Sequence, residues 1–202
     1  MKRLAIFSAM AALCFALIVP AAYAQEDNKN HGNFGVFFNF DRLGGIQGSH
    51  PNMSGVGARL GVNVHSHVVM EGEMAYDFQR SVTSSISAPN GGIGTTTRSN
   101  LRLLSGLFGP KIQTTGPVRV FALLKGGFVN FGVGGPVTAG TINNQIGNIV
   151  DGNTNGVFYP GGGVEFNVGW LGIRAEAGDE MWFLNNGHQN NLHIAVGPQI
   201  RF

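Results

Sequence analysis

The 202-residue chain holds one cysteine, two tryptophans and few charges. A single Cys14 excludes a disulfide scaffold and any site built on several thiolates. Charged residues make up 12% of the sequence, against roughly 25% in an ordinary soluble domain, while 43% are hydrophobic. Disorder needs the reverse balance, so a disordered chain is excluded. The residues that dominate a coiled coil do not dominate here; 32 glycines and 15 phenylalanines stand out instead. Beyond residue 24 there is no long apolar run. The charge-free stretch 131–150 is crowded with Gly, Asn, Thr and Gln, whereas a spanning helix needs about 20 mostly apolar residues. A sustained 3.6-residue period is missing too, which excludes a long amphipathic helix.

What is present begins with a basic start, Met1-Lys2-Arg3, followed by an apolar run from Leu4 to Val19 and then Ala22-Tyr23-Ala24. This is the pattern of a secretory signal peptide, 1–24, cleaved after Ala24. Cys14 lies in mid-run behind Leu13, so a lipoprotein signal is rejected. Cleavage removes Lys2, Arg3 and Cys14 and leaves the domain 25–202 with 11 basic and 11 acidic residues. Zero net charge gives no case for nucleic acid. Without a thiol, the exported chain has no cysteine chemistry.

The exported chain alternates with period two. Candidate strands cover 33–41, 54–63, 67–79, 98–108, 118–129, 155–168, 171–181 and 191–202. In 118–129, for example, Val118, Val120, Ala122 and Leu124 oppose Arg119 and Lys125. Taken as up-and-down strands, they put connections 42–53, 80–97, 130–154 and 182–190 at one end and shorter ones at the other. Long loops at one end and short turns at the other are a mark of outer-membrane barrels.

Alternation alone does not say which face is wet. The charge pattern helps. On the polar parity lie Arg59, Arg98, Arg102, Arg119, Lys125, Arg174 and Arg201, matched by Asp41, Glu71, Glu73, Asp77, Glu165, Glu176 and Glu180. Asp179 alone falls on the apolar face. Eight strands enclose an interior just wide enough for side chains to fill, and charges buried there need partners. Equal numbers of each sign suit a packed, ion-paired lumen, with the apolar rows turned to hydrocarbon. Glycines such as Gly57, Gly61 and Gly163 would make room for the long side chains. Phe40, Phe78, Phe128, Phe158 and Trp182 mark one rim, Trp170 and Phe202 the other, as in two interfacial girdles. Pro160 and Pro198 fit this scheme poorly, because a closed barrel has no free edge to receive them.

Four features together carry a family resemblance: the leader ending Ala22-Tyr23-Ala24, the glycine-rich strand 118–128, the segment Gly161-Gly162-Gly163-Val164-Glu165, and the last strand 192–202 closing on Phe202. The chain resembles the small eight-stranded outer-membrane β-barrels of Gram-negative bacteria, the OmpA and OmpX type. The resemblance implies an all-β, antiparallel up-and-down transmembrane barrel in the cell outer membrane. It also implies contact with outer-membrane lipid, and a Phe202 that the barrel-insertion machinery reads.

Chemistry-bearing motifs are sparse. His65-Ser66-His67 sits in a short turn with no third ligand near in sequence, so no metal site is expected there, and no cofactor anywhere. Glu71, Glu73, Arg59, Arg102, Lys125, Glu165, Arg174, Glu176 and Arg201 form the expected lumenal charge network, a structural set with no catalytic residue. The leading expectation is a non-enzymatic barrel presenting its long loops to a partner the sequence does not name. Two alternatives stand beside it. One is a lipid-modifying barrel enzyme using His188 or His193 with Ser81, Ser84 or Ser85. The other is a secreted soluble barrel holding an apolar ligand.

Overall fold

The structure, a computed structural model, describes residues 31–45, 50–86, 95–134, 141–143, 148–185 and 187–202. The proposed signal segment 1–24 lies outside them. Eight long strands form: β1 (Gly32–Arg42), β2 (Asn52–His65), β3 (Val68–Ile86), β4 (Thr95–Gln113), β5 (Val118–Gly134), β8 (Thr154–Val168), β9 (Leu171–Leu184) and β10 (Gly187–Arg201). Within the connection after β5, β6 (Thr141–Asn143) and β7 (Asn148–Val150) pair as a separate small hairpin that alternation does not predict. Each long strand pairs antiparallel with the next, and β10 returns to β1, closing the barrel. At the seam Gly32 N–H donates to Phe202 O at 2.8 Å and Phe202 N–H donates to Gly32 O at 3.0 Å. Closure removes the edge from the barrel wall where all eight strands are paired.

One barrel end carries short turns, at 66–67, 114–117 and 169–170. Gly169, in the last of these, has φ +62°. A Cβ in that left-handed region costs about 1–2 kcal/mol. Gly169→Ala should lower unfolding stability by that amount in a urea titration of the refolded barrel.

Two connections, one at each end, differ from the sequence expectation. β9 runs to Leu184 and β10 starts at Gly187, so most of 182–190 is strand, with Gln189 opposite Trp182 and Asn191 opposite Glu180. Residues 109–113 likewise belong to β4. Composition misled in both places: Asn, Gly, His and Pro read as loop, while closed ladders carry them as strand.

The prolines find their places in gaps. Pro110, Pro160 and Pro198 all have the outward parity of their strands. In each case the ladder on one side skips: β4–β5 between Phe108 and Lys111, β8–β9 between Phe158 and Gly161, and β1–β10 between Val196 and Gln199. An antiparallel residue directs its N–H to one neighbour only, so a proline interrupts one ladder and spares the other.

The outward rows are apolar. Phe34, Val36, Phe38, Val118, Val120, Leu124, Ile194, Val196 and Ile200 are 37–58% exposed. The inward rows of the same strand segments hold buried Asn, Arg, Lys, Glu and Asp. Nearer the long-loop end this polarity inverts. Leu43, Met53, Leu101, Leu103, Val129, Phe131, Val133, Val157, Trp182 and Leu184 point inward and pack into one buried cluster. The outward positions beside them include Arg42, Arg102 and Asn130. Two sequence expectations are corrected here. Leu101, Leu103 and Leu107 lie inside, and Trp182 is 1% exposed against Phe131, with ring centroids 5.2 Å apart, instead of sitting in an outer girdle.

Candidate functional site

The lumen is the chemically distinctive region, and it is layered. At the short-turn end lie Asn33, Asn63, Gln113, Asn167 and Gln199, all buried. Above them Arg59 (β2), Glu71 and Glu73 (β3), Lys111 (β4), Lys125 (β5), Glu165 (β8), and Arg174 and Glu176 (β9) converge, none more than 7% exposed. Arg174 grips Glu71 with both terminal nitrogens, at 2.5 and 3.0 Å, and reaches Glu176 at 2.5 Å. Lys125 bridges Glu71 at 2.6 Å and Glu73 at 2.7 Å. Lys111 binds Glu165 at 2.5 Å and lies 3.7 Å from Glu71. Arg59 pairs with Glu176 and stands 3.9 Å from Glu73. Four cations thus meet four carboxylates in one connected, neutral network. Phe37 and Phe121 lie under the guanidinium groups of Arg59 and Arg174, each with its ring centroid 4.2 Å away, a desolvated arrangement that favours cation–π attraction.

The expected glycines make room, though for rings and an amide more than for the long charged side chains. A Cβ on Gly57 would strike the Phe37 ring, one on Gly61 would strike the Asn33 amide, and one on Gly163 would strike Phe121 and the Ala175 carbonyl. These glycines accommodate inward rings and amides that the charges then stack upon.

Seven of the nine network residues expected from sequence are joined in this cluster: Arg59, Glu71, Glu73, Lys125, Glu165, Arg174 and Glu176. Arg201 faces inward at the short-turn mouth but is half-buried, and no ion pair joins it to the cluster. Arg102 is a correction. Its side chain is exposed, and it lies over Gly132 on the outer wall, where a Cβ would meet its guanidinium stem. Arg102 sits above the apolar rows, where the outside is water and the inside is the Leu101–Phe131 cluster. Arg102→Ala should therefore shift unfolding stability by no more than about 0.5 kcal/mol, as a surface change does, in the same urea titration.

Lys111 escaped the sequence reading because Gly109-Pro110 reads as a turn. Its signal was the continued alternation of Lys111 and Gln113 with the exposed Ile112.

A second polar pocket lies between the ionic network and the apolar cluster. Asn39 donates to Asp41 at 2.6 Å and to Asp77 at 2.5 Å, and His193 Nδ1 lies 2.6 Å from Asp41 Oδ1. Glu180 faces the same space, and the His193 ring meets Tyr159 edge-on with centroids 5.3 Å apart. His193 is thus tied into the lumen, while His188 is exposed. Ser81 is exposed and donates to Asn100 at 2.9 Å; the side chains of Ser84 and Ser85 lie outside the described residues. His65 and His67 stack on each other in an exposed turn, with centroids 5.8 Å apart.

A closed antiparallel barrel of eight strands with an outward apolar wall has the fold of the small outer-membrane β-barrels. Known structures share it. Neisserial surface protein A superposes with a TM-score of 0.59 at 8% identity, over 87% of this chain and all of that one. Ail, the attachment invasion locus protein of Yersinia pestis, solved with the heparin analogue sucrose octasulfate, gives 0.50 at 15% identity, over 84% of this chain and 99% of that one. No protein-family model matches the sequence, and no curated protein matches it.

Proposed function

We propose that the chain is a non-enzymatic integral protein of the outer membrane. Its strands serve as the anchor, and its long connections as a surface for interaction outside the cell. One observation carries this reading: the exposed wall of the barrel is apolar while the charges of the same strands are buried in its centre. A soluble barrel with an apolar ligand cavity needs the opposite arrangement. The filled lumen supports anchoring over diffusion, because an eight-stranded interior packed with side chains leaves no aqueous path. Strands β3 and β4 have 19 residues each, where a tilted crossing needs about 9–11. The β3–β4 hairpin therefore has the length to stand well clear of the bilayer and carry 87–94 outward. On this reading Phe202, exposed beside the barrel seam, is the residue offered to the insertion machinery.

The test has three measurements. Cell fractionation should place the protein with outer-membrane lipid. Unboiled, detergent-extracted protein should migrate apart from the boiled form on an SDS gel. Lipid A mass spectra with and without the protein should be identical. Recovery in the soluble fraction would overturn the anchor, and a new lipid A species would overturn the non-enzymatic role.

A further inference from the structure

The ionic network is neutral, but the pocket above it is not. Asp41, Asp77 and Glu180 are 2%, 6% and 5% exposed, and the basic group in their midst is the single imidazole of His193. Among the described residues, no lysine or arginine forms an ion pair with any of the three carboxylates; Asp41 pairs only with His193. Burial of uncompensated carboxylates is among the costliest arrangements in a protein, so an excess of this kind calls for a positive ligand.

The geometry has donors for one. Asp41, Glu180 and His193 each bring a ligand atom within 4.8 Å of the other two. On the same side chains, Oε1 of Glu180 and Nε2 of His193 are buried and make no hydrogen bond. The facing position on β2 is Gly55, where a Cβ would collide with Asp77 and lie 2.8 Å from Asn39 Oδ1; the wall is cut back at this level. We propose that Asp41, Glu180 and His193 form a binding site for one divalent transition-metal ion, with Asp77 and Asn39 as its outer support. Two carboxylates and an imidazole are a donor set suited to Zn²⁺, Mn²⁺ or Fe²⁺. A doubly charged ion brings a pocket of three carboxylates and one neutral imidazole to within one charge of neutrality. Asp77, held to Asp41 through the Asn39 amide, takes the position that outer carboxylates occupy around metal ligands.

The site lies beneath the Leu43, Met53, Leu101, Leu103, Phe131 and Trp182 cluster and above the ionic network. The ion therefore enters while the barrel forms and stays once it has closed. This makes the metal a folding ligand of the lumen, not an exchangeable surface ion.

The test uses the full exported chain without a histidine tag. His65→Ala and His67→Ala form the background, so that two neighbouring exposed imidazoles add nothing to the metal count. Protein refolded into detergent with Zn²⁺, then dialysed against EDTA, should retain about one equivalent of zinc by elemental analysis. It should also unfold at higher urea than protein refolded in EDTA. Refolding with Co²⁺ should give visible d–d bands. Glu180→Gln and His193→Gln, near-isosteric changes, should each abolish retention and the bands while the unboiled gel shift persists. No retained metal together with equal urea midpoints would overturn the site, as would retention that survives both substitutions. If neither variant folds, the wild-type stoichiometry and the Co²⁺ spectrum still decide.

Discussion

Replacing Glu71 with leucine should cost the folded barrel about 3–5 kcal/mol, the penalty for breaking a buried pair and leaving its partners uncompensated. Glu71 is fully buried and touches three of the four cations, Lys111 at 3.7 Å, Lys125 at 2.6 Å and Arg174 at 2.5 Å. Glu71→Leu leaves four cations facing three carboxylates in a buried, closely packed space. Arg174→Met should be similarly costly, because it releases Glu71 and Glu176 together. The double variant should cost clearly less than the sum of the two, since it restores equal charge and fills the gap with apolar groups. Urea unfolding in lipid vesicles, followed by the unboiled gel shift, measures all three. Single-variant costs below about 1 kcal/mol, the range of exposed pairs, would mean that water reaches the network and that the lumen is not packed.

That prediction concerns residues whose type and parity were legible in the sequence but whose partners were not. Alternation placed Arg59, Glu71, Glu73, Lys125, Glu165, Arg174 and Glu176 on inward faces, because period two is fixed by the pleat. It could not pair them. Arg59 and Glu176 are 117 residues apart, and Arg174 and Glu71 are 103 apart. Which side chains meet across the lumen depends on strand stagger, and stagger is set by how the barrel closes. The errors share another cause. The rule of apolar outward and polar inward holds only at the level of the apolar wall, not along whole strands. Closer to the long-loop end the outside is water. There Arg102 turns out while Leu101, Leu103 and Trp182 turn in. Locally the sequence of β4 alternates identically under both rules, and only the height of a residue along the barrel separates them. Asp41, Asp77, Glu180 and His193 were similarly readable as inward residues. That they gather in one pocket, with no ion pair to a lysine or arginine among the described residues, requires all four strands, β1, β3, β9 and β10, to be set in register.

The inside-out assignment itself can be decided with one arginine. Val196 lies in the outward row of β10, between Phe38 of β1 and Ala175 of β9, and is 49% exposed. If that row meets hydrocarbon, Val196→Arg puts a cation near mid-depth, at a cost of about 2–4 kcal/mol for the barrel folded in vesicles. Ser54→Arg, in the outward row of β2 and opposite Phe40, should cost no more than about 1 kcal/mol, because the price of a charge falls toward the interface. A water-soluble barrel predicts neither value. For it both positions are surface, and each change should stay within about 0.5 kcal/mol. The contrast between the two sites matters more than either number. General damage to the sheet would lower stability at both positions alike, whereas a bilayer penalises charge by depth. A strong loss at Val196 beside a weak one at Ser54 therefore reports where the hydrocarbon lies. Ala122→Arg, in the outward row of β5 among Val120 and Leu124, should repeat the larger loss if the apolar wall runs around the whole barrel.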